Sequence, residues 1–358
     1  MPIKIIRLKF NAPLHISTVK SEYDISEKIV HSDTLYSAIL EAWNVLGMHK
    51  FIPASTDEKL QFSISSLFPY ITQGNQTIYF LPRPLNFIPH DIPIELNKKI
   101  KKIQYIDASI IKKIQETYSG EFELRSDFIK GMFYTDKEIN ENFISTSVVP
   151  RVRVSRNNED AKPFYIERIY FNENSGFYFF LIYEDDVIYH AIKSALDYLQ
   201  DAGIGTDRNV GHGTFTYTVE NDSNPNIPKF TIQQPHYALN LSLYIPEDHN
   251  LAKAMLNDAY FDILTRGGWI TSFPYNTLRK KNIRCIKEGS VLNISNIKSN
   301  NNILTSGKIA DITPERNQLP AHTKNIHSIF RIGISIWIPF PQNLNLKIGL
   351  ITKEKENL

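Results

Sequence analysis

The period of the apolar positions changes along the chain, and each change marks an element. Ile3, Ile5, Arg7 and Phe10 fall in a β-rich opening strand. From Ser32 the period becomes helical, with Leu35, Ala38, Ile39, Ala42, Trp43 and Leu46 recurring at spacings of three and four. Ser32 or Asp33 suits the N-cap of this helix and Gly47 its stop. Ile78 to Leu81 reads as a short strand halted by Pro82 and Pro84, and residues 90 to 145 as a polar, lysine-rich, helix-prone insertion. Val148 to Arg156 alternates apolar and basic residues, a turn follows, and Phe164 to Phe171 returns, which predicts a long hairpin over about 148–172. Gly176 to Tyr183 is a buried strand, and Ile188, Ala191, Ile192, Ala195, Leu196 and Leu199 repeat the spacing of the first helix. A glycine-rich loop, Gly203 to Gly213, leads into a closing strand, Thr214 to Val219.

Two amphipathic helices, each fed by a strand, are what a ferredoxin-like β-α-β-β-α-β domain requires. Asn221 to Pro228 reads as a linker. Beyond it, strands at Tyr237–Ile245, Ile283–Ile286, Val291–Ile294 and Ile329–Ile338, with a helix over Asp248–Asp258 that turns Leu251, Ala254 and Met255 inward, predict a second, more degenerate α+β unit. Lys298 to Thr323 reads as a long polar connection. The fold class is therefore α+β, with an N-terminal domain over 1–225 and a C-terminal one over 226–358.

Length supports this division, because 358 residues exceed twice the roughly 150 of a typical domain. Lys+Arg 40 against Asp+Glu 38 leaves a formal charge of +2, so any polyanion must be gripped by local clusters. The single cysteine, Cys285, excludes an internal disulfide framework and a cysteine-based zinc site, and makes a reducing cytoplasm the natural compartment. The longest apolar run, Phe177 to Tyr183, falls far short of the roughly 20 residues of a membrane-spanning helix, and the first residues read as a strand rather than a signal peptide. No metal-ligand spacing appears among the histidines, and no cofactor motif appears anywhere.

Three stretches carry candidate chemistry. The loop Gly-Ile-Gly-Thr-Asp-Arg-Asn-Val-Gly-His-Gly leaves backbone N–H groups unshielded for phosphate, and Arg208 can add a fork-shaped contact. It follows a helix and precedes a strand, the reverse of nucleotide-binding loops, so ATP and NAD are disfavoured; taken alone it also reads as a tight turn. His31-Ser-Asp opens the first helix and can be an acid/base pair that cuts RNA, or, more plainly, a cap with His31 at the positive helix end. In the hairpin, Arg151 and Arg153 share one face while Val152 and Val154 face the other and pack inward; the arginines are either solvated edge guards or an arm along a nucleic-acid backbone. Arg279 to Arg284 is a further basic run, and the lysines of the insertion read as a solvated face.

Taken in order, His31-Ser-Asp-Thr-Leu35, Phe80-Leu-Pro-Arg-Pro-Leu85, Val149-Pro-Arg-Val-Arg-Val-Ser-Arg156, the Gly203–Gly213 loop and Glu288-Gly-Ser-Val-Leu292 resemble the RAMP superfamily of CRISPR proteins, and within it the fourth-subunit group of the type III-A effector, the Csm complex, which caps the 5′ end of the CRISPR RNA. The resemblance implies two ferredoxin-like (RRM-type) domains and no catalytic residue, metal or cofactor. It implies that Gly203, Gly205, Arg208, Gly211, His212 and Gly213 hold the repeat-derived 5′ tag, and that the hairpin with Arg151, Arg153 and Arg156 is a thumb across the guide. His31 and Ser32 would border the RNA groove, with Arg279, Lys280, Arg284, Gly289 and Ser290 near the tag. The implied partners are the CRISPR RNA, a backbone RAMP subunit, the large polymerase-like subunit and, indirectly, target RNA. The alternative is a metal-independent endoribonuclease of the same superfamily that matures repeat RNA with His31 as base. No RRM-type stacking aromatics are visible on any strand, so recognition should lean on loops and backbone.

Overall fold

A computed structural model describes residues 1–16, 25–89, 92–117, 120–153, 162–221, 224–231, 236–272, 275–297, 305–315, 317, 319, 323–324 and 326–348. In chain order the first half contains β1 (Ile3–Phe10), α1 (Ser32–Val45), β2 (Phe62–Ile64), β3 (Phe68–Gln73), β4 (Gln76–Pro82), α2 (Ile94–Lys102), β5 (Tyr105–Asp107), α3 (Ala108–Thr117), β6 (Glu121–Leu124), β7 (Ile129–Lys130), β8 (Phe133–Tyr134), β9 (Ile144–Arg153), β10 (Lys162–Phe171), β11 (Ser175–Tyr183), α4 (Asp186–Ala202) and β12 (Phe215–Asn221). The second half contains β13 (Tyr237–Asn240), α5 (His249–Leu256), β14 (Ile263–Arg266), β15 (Ile283–Ile286), β16 (Val291–Asn293), β17 (Thr305–Asp311), β18 (Phe330–Pro339) and β19 (Asn345–Ile348).

The main sheet runs β12-β1-β11-β3-β4-β5-β8-β7, with β2 also on β11. Its centre is set by the register of β1 on β11, where Ile5 faces Phe180 and Leu8 faces Phe177. Alternation along β1 and β11 sends Ile6, Leu8, Phe177 and Phe179 to the face covered by α1 and α4, where Trp43, Ala191 and Leu196 complete a core. The opposite face, with Ile5, Phe180 and Tyr178, packs with Leu239, Leu241, Ile336 and Ile338 of the second half, so one apolar core joins both halves. Among the described residues, no helix is long and apolar enough to cross a membrane.

Two expectations need correction. The insertion at 90–145 is not an appendage: β5, β8 and β7 lengthen the sheet, and Ile100, Ile106, Ile111, Phe133 and Phe143 are buried in the shared core. Its exposed lysines, which dominate the composition, masked a helical period in which only one face is apolar. The supposed polar connection at 298–323 holds β17, which pairs along β18 from Thr305↔Ile336 to Asp311↔Phe330. Its Thr-Ser-Gly-Lys start lacks the alternation by which strands are recognised. The second half arranges β16-β13-β18-β17 as one sheet and β14-β15 as a separate ribbon, with α5 its one helix among the described residues. Finally, β19 crosses back and pairs in parallel with β6 of the insertion.

Candidate nucleic-acid interface

The polar groups at the α1 N-terminus are engaged by the second half of the chain. His31 is 2% exposed; its Nδ1 donates to Glu288 at 2.9 Å, and its Nε2 lies 3.6 Å from Glu27. Burial pushes the Glu288 carboxyl up, but the His31 charge and hydrogen bonds from His31 and Ser66 outweigh it and hold the group below its usual range. Ser32 is fully buried, and its Oγ accepts from the Leu243 N–H at 3.0 Å. His31 stands at the N-cap position without a side-chain cap bond and lines the cavity described below, whereas Ser32, expected as a cap or groove residue, is enclosed by the second half. Asp33 does not cap either: it accepts from Arg266 at 3.1 and 3.2 Å and from Arg331, all three buried. Gly289 and Ser290 belong to the same region. Gly289 sits at φ +86°, where a Cβ would come within 2.7 Å of the Arg83 carbonyl, and Ser290 donates to the Lys287 carbonyl at 2.7 Å. Both residues, expected near the tag, are buried.

Beside this seam lies a cavity of about 480 Å³ lined by Glu27, Lys28, Arg83, Lys101, Asp262 and Lys287 among others. Lys101 is exposed, as expected of the insertion's lysines, and also lines this cavity. Arg83, half-buried between two prolines, donates to the Ile100 carbonyl at 3.2 Å, and burial lowers its pKa.

The glycine loop lies at the other end of α1. α4 stops at Gly203, which takes φ +75°. A Cβ there would fall 2.4 Å from the His212 carbonyl, and one on Gly213 would fall 2.0 Å from the Ile204 carbonyl, so these two glycines let the loop's two strands touch. Gly205 is pressed against the His15 carbonyl in the same way, at 2.6 Å, while Gly211 faces open space. The N–H groups of Gly203, Ile204, Thr206, Val210, Gly211, His212 and Gly213 all donate to backbone carbonyls. The expected cradle of unshielded donors is thus not formed by these seven; Gly203, Gly205 and Gly213 serve close packing.

That packing brings side chains together. Asp207, in the left-handed region at φ 61°, receives Arg151 of β9 at 2.6 Å, and Arg208 reaches Glu41 of α1 at 2.8 Å. At the base of the hairpin, Leu14 bridges Ile169 of β10, and His15 Nδ1 lies 2.7 Å from the Glu167 carbonyl. Three buried polar atoms here have no partner: His15 Nε2, His212 Nδ1 and Arg168 Nε. Burial lowers the His212 pKa, and Arg168, Arg151 and His15 lower it further, with Asp207 opposing. The junction of loop, hairpin and the segment after β1 thus gathers Arg151, Arg168 and two histidines around buried nitrogens without partners, groups that can meet an anion. Burial lowers the pKa of Lys280 in the second half, Glu41 raises it and Arg266 lowers it further, so Lys280 feels the fields of both. Arg279 lies over the Trp269 ring at 4.6 Å, and Arg284 is exposed on β15.

Among the hairpin residues, Arg153 ends β9 opposite Lys162, and Arg156 and Val154 lie outside the described residues. Val152 is 58% exposed rather than packed inward, because among the described strands β9 and β10 pair only with each other and have no layer behind their outer half. Arg168 was legible in the sequence as a basic residue on the returning strand of the hairpin, whereas His15 was not singled out, its only signal being a position just after β1. Among the described residues no group of three or more His, Cys, Asp or Glu could hold a metal ion.

Comparison with known proteins gives a consistent result. A RAMP superfamily model matches residues 7–216, and a CRISPR Csm4 C-terminal domain model matches 233–340. A Methanocaldococcus jannaschii protein described as CRISPR system Cms protein Csm4 is 23% identical over 95% of this chain and 98% of its own. A Thermococcus onnurineus protein of the same description is 28% identical over 74% of this chain and 82% of its own. Among solved structures, a Csm3–Csm4 subcomplex of the type III-A CRISPR-Cas interference complex matches with TM-score 0.55 at 22% identity, over 95% of this chain and 99% of that one. A Csm1–Csm4 cassette with pppApA matches with TM-score 0.54 at 18% identity, over 98% of this chain and all of that one.

Proposed function

Since the chain belongs to the RAMP superfamily and carries a Csm4 C-terminal domain in its second half, we propose that it is a non-catalytic RNA-binding subunit of a type III-A CRISPR interference complex that holds the 5′ tag of the CRISPR RNA at the junction of glycine loop and hairpin. The observation that carries this is the convergence of His15, His212 and Arg168, each with an unpartnered buried nitrogen, beside Arg151 on a protein of nearly neutral net charge. A phosphate would accept from the Arg168 Nε–H, a donor that otherwise costs on the order of 1–3 kcal/mol. The buried His31 supports a non-catalytic role over an endoribonuclease, because a base must reach the 2′-hydroxyl and both of its ring nitrogens face carboxylates.

In this reading residues 1–225 are one ferredoxin-like domain, a view supported by the order β12-β1-β11-β3 with α1 and α4 on one face. Residues 226–358 are a degenerate second one. The partners are the backbone RAMP subunit and the large polymerase-like subunit, by analogy with the Csm3 and Csm1 chains that accompany the structural relatives. The assembly works in the cytoplasm in antiviral defence. The test is to purify the assembled complex, sequence its RNA, and repeat this with Arg151→Ala/Arg168→Ala. Guides sharing one 5′ tag, retained by the wild type and depleted in the variant, are expected. RNA without a common 5′ end, or cleavage of repeat RNA by the purified chain, would overturn the proposal.

A further inference from the structure

The ribbon of β14 and β15 does not end at its last paired residues. Beyond Arg266 and Ile283 the two chains stay together: Trp269 bridges Arg279, the Ile270 N–H donates to the Leu278 carbonyl at 2.9 Å, and the Lys280 N–H donates to the Gly268 carbonyl at 2.9 Å. Successive residues of an extended strand point to opposite sides. Ile270 takes the inner side, 3% exposed in a cluster with Ile312, Ile326 and Ile329, so Trp269 is turned out. It is 50% exposed, whereas Trp43 and Trp337 are fully buried. The Arg279 guanidinium lies over its ring, 4.6 Å from the centroid.

This arm is fixed against the α1 side of the molecule. The Gly267 carbonyl accepts from Arg331 at 3.0 Å, and Arg331 in turn holds Asp33 at the start of α1. Lys280 shares the field of Glu41, the residue that pairs with Arg208 of the glycine loop. A half-exposed indole backed by a guanidinium thus stands on the arm that carries Lys280, whose field reaches Glu41. An aromatic face within a basic surface is the chemistry that holds unpaired bases, because every base presents a π-face and the cation strengthens the stack.

Resting on the RNA-binding reading above, we propose that Trp269 is a base-stacking platform: one unpaired nucleotide of the bound RNA lays its base on the indole, with Arg279 behind it, while the loop and hairpin hold phosphate. The two contacts are separable. Truncating Trp269 should weaken binding through one base; neutralising Arg151 and Arg168 should weaken it through phosphates and flatten its salt dependence.

The experiment uses the full chain and a synthetic RNA of the guide sequence that copurifies with the complex, together with a series in which one nucleotide at a time is abasic. Stacking should quench Trp269 fluorescence in the wild type and not in Trp269→Phe, since the buried Trp43 and Trp337 report no ligand. One abasic position should weaken wild-type binding on the order of tenfold, and that penalty should vanish in Trp269→Ala, which itself binds intact RNA on the order of tenfold less tightly; Trp269→Phe should keep most of the affinity. Wild-type affinity and an unchanged abasic profile for a folded Trp269→Ala would overturn the platform and leave the RNA-binding reading standing. If that variant instead keeps its RNA but loses the large subunit on copurification, the indole is a protein contact and the proposal also falls. Failure of the wild type to bind any RNA would remove both.

Discussion

Asp33 shows how much a residue's surroundings decide. Its place in the first turn of α1 suggests a cap or helix-dipole role, whose loss costs about 1 kcal/mol. In the fold it is the shared anion of Arg266 and Arg331, and burial lowers the Arg331 pKa to about 10. Removing one partner of a buried ion cluster leaves uncompensated charge, so Asp33→Ala should destabilise by about 3–5 kcal/mol in urea unfolding. A loss near 1 kcal/mol would return Asp33 to the role of a cap. The aspartate was visible in the sequence; its partners were not, because Arg266 and Arg331 lie more than two hundred residues away.

At the scale of elements, the glycine loop was legible as a loop but not in its purpose. Four glycines in eleven residues fit both a phosphate cradle and a tight turn. The distances separate the two, since Gly203, Gly205 and Gly213 each abut a backbone carbonyl while Gly211 abuts nothing. Gly211→Ala should therefore cost only the strain of its positive φ, about 1–2 kcal/mol. Gly213→Ala adds a clash with the Ile204 carbonyl, which must displace the loop and with it His212. It is expected to lower the melting temperature further and to weaken RNA binding, whereas Gly211→Ala should bind nearly as the wild type does. Equal effects on both measurements would mean that loop packing does not set the arrangement of loop and hairpin. The two principal helices were readable for the opposite reason: α1 and α4 bury one stripe each, and the stripe repeats at helical spacing whatever it packs against.

Over the whole molecule, the seam between the halves is polar at its edge and apolar in its centre. Glu288 of the second half meets His31 and Ser66 of the first. Because the folded state holds the Glu288 carboxyl below its ordinary value of 4.5, the charged form favours folding. That contribution is complete above the ordinary value and is lost as pH falls through the lower folded value. Unfolding midpoints measured from pH 7 down to 3 should therefore drop at the acid end. Glu288→Gln should be less stable than the wild type near neutrality and lose part of that acid slope. A variant with the full wild-type slope would show that another carboxylate governs acid sensitivity.

The sequence by itself determined the elements whose signal is local. The apolar stripes of α1 and α4, the β9–β10 hairpin alternation and the β11 apolar run needed no knowledge of neighbours, because periodicity is dictated by the backbone geometry of each element. It also carried the family resemblance, through short motifs spread over the chain. Tertiary structure alone decided which of the motif residues face outward. His31, Ser32, Gly289 and Ser290 look like ligand residues in sequence and are buried in the fold, while His15 and Trp269 carry no motif and, like Arg168, acquire their roles from what folds beside them. The reason is physical: burial and partner choice depend on contacts between residues far apart in the chain, and the solvation of a charge or an indole is a property of those contacts rather than of the residue type.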